Sequence, residues 1–122
     1  MGTYKDLIVF KKAYSLAMDI LTISKSFPTE EKYSLTDQIR RSSRSVCVNL
    51  GEAYRRRQYP AHFVSKLSDC DAENTETEIW IQFCFDCKYI NDTQFADLST
   101  RCAEIGRIIG HMINHPDKFS GN

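Results

Sequence analysis

Proline and glycine are scarce in this chain, with three prolines and five glycines among 122 residues. That scarcity excludes collagen-like and Pro/Gly-rich low-complexity classes and leaves long segments with nothing to break a helix. Also missing is any apolar run near the roughly 20 residues of a membrane span. Charges interrupt the opening MGTYKDLIVFKK, where a signal peptide requires an apolar core. Net charge is zero, so the chain as a whole lacks the basic excess usual for nucleic-acid domains. The five cysteines, Cys47, Cys70, Cys84, Cys87 and Cys102, are an odd number scattered through helical segments. They read as reduced, mostly buried thiols, and the expected compartment is the cytoplasm.

A hydrophobic content of 42% with 26% charged residues is enough for one globular core. The apolar spacing is helical throughout. In the first segment Leu7, Phe10, Tyr14, Ala17, Leu21 and Ser24 recur at three and four residues, behind a Thr3/Asp6 capping pair and ahead of Phe27-Pro28. Ser34 and Asp37 open a second helix with the stripe Leu35, Ile39, Ser42, Val46, Leu50 and Ala53. A third follows Pro60 through Phe63, Leu67, Cys70, Asn74, Thr77, Ile81 and Cys84. After Asn91, the fourth carries Phe95, Leu98, Cys102, Ile105, Ile109 and Met112, and it stops at Pro116. The spacing predicts helices over about 4–26, 35–57, 61–89 and 93–115. Short connections make them antiparallel neighbours, so the fold class is all-α, one up-down four-helix bundle domain over residues 1–122.

Near its end the third helix carries Ile79, Trp80, Ile81, Phe83, Cys84, Phe85 and Cys87 over an arc of roughly 240°, whereas a bundle helix hides little more than about 100°. The surplus around Trp80, Phe83 and Phe85 predicts a subunit interface and a homo-oligomer. Charge is divided as well. Residues 32–57 hold seven basic side chains against two acidic ones, and residues 69–92 hold seven acidic against one basic. A basic face on one copy could dock on an acidic face of the next, and head-to-tail contacts that close make rings.

The arginines carry the functional lead. Arg40, Arg44 and Arg55, with Arg41 at the margin, share one face of the second helix, a strip about 22 Å long by helix rise and enough to follow several phosphates. Arg56 and Arg57 extend it, and Tyr54 and Tyr59 beside them could stack on unpaired bases. The competing reading pairs these arginines with Glu52, Glu73, Glu76 and Glu78, inside the bundle or across subunits. Cys84-x-x-Cys87 and the His111/His115 pair suggest zinc, but helix lengths put them more than about 20 Å apart. They read as buried structural cysteines and surface histidines. Asp69, Glu73 and Glu76 make an acidic row with no Glu-x-x-His motif, phosphate loop or nucleophile signature beside it. The chain therefore reads as no enzyme, with no catalytic residues, metal, cofactor or small-molecule substrate.

Phe27-Pro28, Glu31, Leu35, Gln38, Arg41, Ser45, Val46, Asn49, Glu52 and Ala53, followed by Phe63, Leu67 and Glu73, form a pattern over nearly the whole chain. It resembles the four-helix-bundle family of proteins encoded in intervening sequences of 23S ribosomal RNA genes. That family often has proline at Cys47 and glycine at Ala53, so the second helix should be straighter here. Bundles related to that family include the accessory protein of diversity-generating retroelements, which forms a five-membered ring and binds a reverse transcriptase and nucleic acid. The resemblance implies a ring-shaped homo-oligomer, a pentamer, with RNA or a nucleic-acid-processing protein as partner. Arg41, Ser45, Asn49 and Glu52 are the polar positions that match, and they could equally hold neighbouring helices in register.

Overall fold

A computed structural model describes residues 2–120. Its four α-helices are α1 (Ile8–Ser24), α2 (Asp37–Arg55), α3 (Pro60–Asp86) and α4 (Asp92–Asn114), with no strand among the described residues. Short 3-10 turns cover Tyr4–Asp6, Thr29–Glu31 and Pro116–Phe119, and a π-helical turn covers Lys32–Thr36.

Helix ends follow local chemistry. Thr3 and Asp6 do form a reciprocal cap, but it heads the 3-10 turn, because Leu7 takes extended backbone and delays α1 to Ile8. The Ser34 hydroxyl donates to the Glu31 carboxylate and caps no backbone N–H, so the regular α2 begins at Asp37, two residues later than the spacing predicts. It then runs unbroken past Cys47 to Arg55. Lys88 adopts φ 65°, and the Tyr89 N–H donates back to Cys84 O at 2.8 Å while Lys88 N–H donates to Phe85 O at 2.9 Å. This pair of bonds satisfies the last carbonyls and ends α3 at Asp86, earlier than expected. α4 starts on Asn91 and Gln94, whose side chains each accept from the other's backbone N–H.

The stripes expected on α2, α3 and α4 are buried, apart from half-buried Phe95. The stripe expected on α1 is buried only at Ala17 and Ser24. α1 buries Val9, Ala13, Leu16, Ala17, Ile20 and Ser24, whereas Leu7, Phe10 and Leu21 lie at the margin and Tyr14 is 54% exposed. This helix is apolar around most of its circumference, so two stripes of similar spacing compete and packing selects one. Each fully buried Leu, Ile or Phe contributes roughly 1.5–3 kcal/mol. A polar belt crosses the core: Ser42 Oγ and Thr77 Oγ1 lie 2.8 Å apart, and Asn74 Nδ2 donates to Cys102 O at 3.0 Å. The Cys102 thiol returns a bond to Asn74 Oδ1 at 3.3 Å, leaving the buried amide satisfied on both sides.

Candidate nucleic-acid interface

The outward face of α2 is where the arginines gather, because its opposite face is committed to the core. The six arginines fall into different environments. Arg41 reaches α3, donating from Nη1 to Glu73 Oε2 at 2.9 Å and from Nη2 to Glu76. These bonds to Glu76 and Glu73 hold the guanidinium above its ordinary pKa. Glu76 loses part of its hydration by burial, which opposes ionisation, yet bonds from Trp80 Nε1 and Arg41 keep its carboxyl below the usual range. Arg40 is half-buried and donates from Nε to Ser24 Oγ at 2.7 Å, which ties α2 to the end of α1.

Arg44 is exposed. With Arg40, Arg41, Asp37, Ser45 and Val48 it lines an open groove of about 540 Å³. Arg55, also exposed, borders a second and more apolar groove of about 430 Å³ that shares Val48 and includes Phe10, Tyr14 and Gly51. Arg56 is exposed just past the helix end. Arg57 turns away: its guanidinium lies 4.1 Å from the centre of the Tyr54 ring and donates to Tyr54 O at 3.0 Å. Among the described residues, Arg41 alone of the six makes an ion pair. Glu52, a partner considered from sequence, pairs instead with Lys66 at 3.2 Å.

Of the polar positions that carry the resemblance, Arg41 and Glu52 both bridge α2 to α3. Between them Asn49 donates to Ser45 O at 3.0 Å. This edge holds two helices in register.

The aromatic surplus on α3 also divides. Phe85 stacks on Phe95 of α4 with centroids 4.2 Å apart, so one ring face is used inside the chain. Trp80 is half-buried, while Phe83 beside it is 50% exposed and Ile79 is 51% exposed. A second exposed apolar set, Tyr14, Met18 and Val48, flanks the arginine face. Helical spacing alone does not reveal this set, since Tyr14 fits a core stripe.

The cysteine pair separates: Cys84 is buried, and Cys87, expected to be buried, is exposed at the end of α3. Burial pushes the Cys84 and Cys102 thiols up to about 12 and that of Cys47 to about 11. His111 and His115 are exposed, their rings 4.6 Å apart and tilted by 41°. No cluster of three metal-ligating side chains occurs among the described residues. No helix among them is long and apolar enough to cross a membrane.

Comparison with known proteins bears on this arrangement. No curated protein matches the chain. A solved structure from Bacteroides thetaiotaomicron VPI-5482, described as a protein of unknown function from the S23 ribosomal protein family, is 29% identical with a TM-score of 0.79. The alignment covers 88% of this chain and 96% of that one. The family described as 23S rRNA-intervening sequence protein matches residues 5–111, nearly the whole described fold. The chain belongs to the 23S rRNA-intervening sequence protein family.

Proposed function

We propose that this chain is a non-enzymatic cytoplasmic bundle that assembles into a ring-shaped homo-oligomer and binds RNA through the exposed arginines of α2. The observation that carries the reading is that Arg40, Arg44, Arg55 and Arg56 are charged groups with no acidic partner among the described residues, strung along one helix and its end. Arg40 also bonds Ser24 Oγ, while Arg44, Arg55 and Arg56 stand exposed, and phosphate suits the planar fork of guanidinium groups gathered on one face. The reading takes the helices as an up-down antiparallel bundle. Support comes from contacts that run in reverse order, Val46 to Cys70 and Arg41 to Glu76 between α2 and α3, Lys12 to Glu104 and Asp19 to Arg101 between α1 and α4. Such a bundle places α2 at a corner, open to solvent along its length. The resemblance read from the sequence, with the retroelement accessory protein among related bundles, implies the same ring and the same class of partner.

A single-stranded RNA 20-mer, titrated at several salt concentrations and followed by anisotropy, tests the reading. Four phosphate contacts give a slope of about −3 in log K against log salt. Arg44→Glu with Arg55→Glu should remove binding while light scattering shows the oligomer intact. Salt-independent binding, or binding unchanged in that variant, refutes it.

A second reading rests on the exposed apolar residues Tyr14, Met18 and Val48 beside the arginines, and Ile79 and Phe83 on α3. It makes α2 a subunit contact that receives the acidic, apolar α3 of the next copy. Dissociation of the oligomer in the same double variant, with RNA binding unaffected, would select it.

A further inference from the structure

At the end of the bundle where the C-terminal turn folds back, the helices leave a cavity of about 210 Å³. Its inner wall is apolar: Phe63 and Met112 are almost fully buried, and Leu7 and Phe119 lie half-buried beside them. Phe119 belongs to the Pro116–Phe119 turn and faces Phe63 with ring centroids 6.3 Å apart. Tyr54 and two cations, Arg57 and Lys118, complete the lining. No acidic residue lines the cavity, and neither cation makes an ion pair among the described residues. Arg57 is not free to wander, because its stack on Tyr54 and its bond to Tyr54 O fix the guanidinium at the rim.

We infer that this cavity binds a small carboxylic acid with an apolar body, aryl or short alkyl, whose carboxylate meets Arg57 and Lys118. An apolar cavity of about 150 Å³ holds benzene, so about 210 Å³ admits a body of phenyl size with one or two further carbons. An apolar pocket with a few convergent polar groups is the usual form of a small-ligand site. The planar guanidinium suits a carboxylate in bidentate geometry, and the ammonium adds a second positive charge. A neutral molecule of the same shape would leave both cations without an anion, which is the source of selectivity. The site lies apart from Arg40 and Arg44, and its occupant does not depend on RNA binding by α2.

The test uses the full chain with its methionine methyl groups carbon-13 labelled. Three methionines give three signals, of which Met112 reports the cavity and Met18 the outer face of α1. Phenylacetate is titrated in, with 2-phenylethanol as its neutral counterpart. A ligand of this size binds with Kd on the order of 100 µM. The expected result is a saturating shift of the Met112 signal, no shift of Met18, and binding of the alcohol at least about tenfold weaker. Arg57→Gln with Lys118→Gln, both rim positions, should weaken the acid about tenfold and leave the alcohol unchanged. No saturation below about 10 mM, equal binding of acid and alcohol, or an acid indifferent to the double variant each overturns the inference. Arg44→Glu with Arg55→Glu should leave phenylacetate binding intact, which separates this site from the RNA face.

Discussion

The two glycines of α4 offer a controlled test of how tightly the polar belt is packed. A methyl group added at Gly110 meets nothing within 4 Å, whereas one added at Gly106 comes to 3.2 Å from Asn74 Nδ2. Both sit within the same helix. Glycine in a helix costs up to about 1 kcal/mol relative to alanine, so Gly110→Ala should gain roughly 0.5–1 kcal/mol. For a chain of this length that raises Tm by roughly 2–5 °C. At Gly106 the same gain is opposed. Asn74 must give way by a few tenths of an ångström, and its amide is already held by Cys102 O at 3.0 Å and by the Cys102 thiol at 3.3 Å. Breaking the bond to Cys102 O strands a buried amide at a cost of about 1–3 kcal/mol, so Gly106→Ala should be neutral or destabilising by up to roughly 2 kcal/mol. Urea denaturation of both variants, and of Gly106→Ala in an Asn74→Ala background, closes a double-mutant cycle. With the amide gone, Gly106→Ala should recover the ordinary gain. A Gly106→Ala variant as stable as Gly110→Ala in the native background would show that Asn74 is not constrained as described.

Two further outcomes follow from burial and bonding. In native protein one thiol, Cys87, should react readily with a thiol reagent such as dithionitrobenzoate, while Cys47, Cys70, Cys84 and Cys102 wait for unfolding; rapid labelling of a second cysteine would contradict the packing. Tyr89 donates to the Glu31 carboxylate at 2.8 Å, and that bond pushes its phenol up to about 12. The raised value means that the bond's contribution to stability is complete below the ordinary phenol pKa of about 10 and is lost as pH rises through about 12. Absorbance near 295 nm should therefore show one of the six tyrosines titrating late, and Tyr89→Phe should remove that late phase. Glu31→Gln should bring the phase back toward the ordinary range.

Helix number and class, and three of the four core stripes, were legible in the sequence because α2 and α4 each present one apolar stripe at helical spacing, and on α3 the run from Phe63 through Leu67 and Cys70 sets the face that Ile81 and Cys84 continue. Those stripes admit one inward orientation, and burial follows. The caps at Asn91 and Thr3 were legible for a similar reason, since an Asn or Thr with a side-chain partner three residues on is a local device. Residues whose environment is set by distant parts of the chain were not legible. On α1 the neighbours chose Val9, Ala13, Leu16 and Ile20 over a stripe through Tyr14, because both stripes were apolar. Spacing placed Arg40, Arg41, Arg44 and Arg55 together, but Glu73 and Glu76, which take Arg41 out of that set, lie more than thirty residues away on α3. Phe85 could not be known to stack on Phe95, nor Arg57 to meet Lys118 around a cavity, before the connections were drawn. Periodicity within one helix thus determined the elements and most of the core. The pairing between helices decided which charges and rings remain on the surface, because burial and ion pairing are properties of two elements at once.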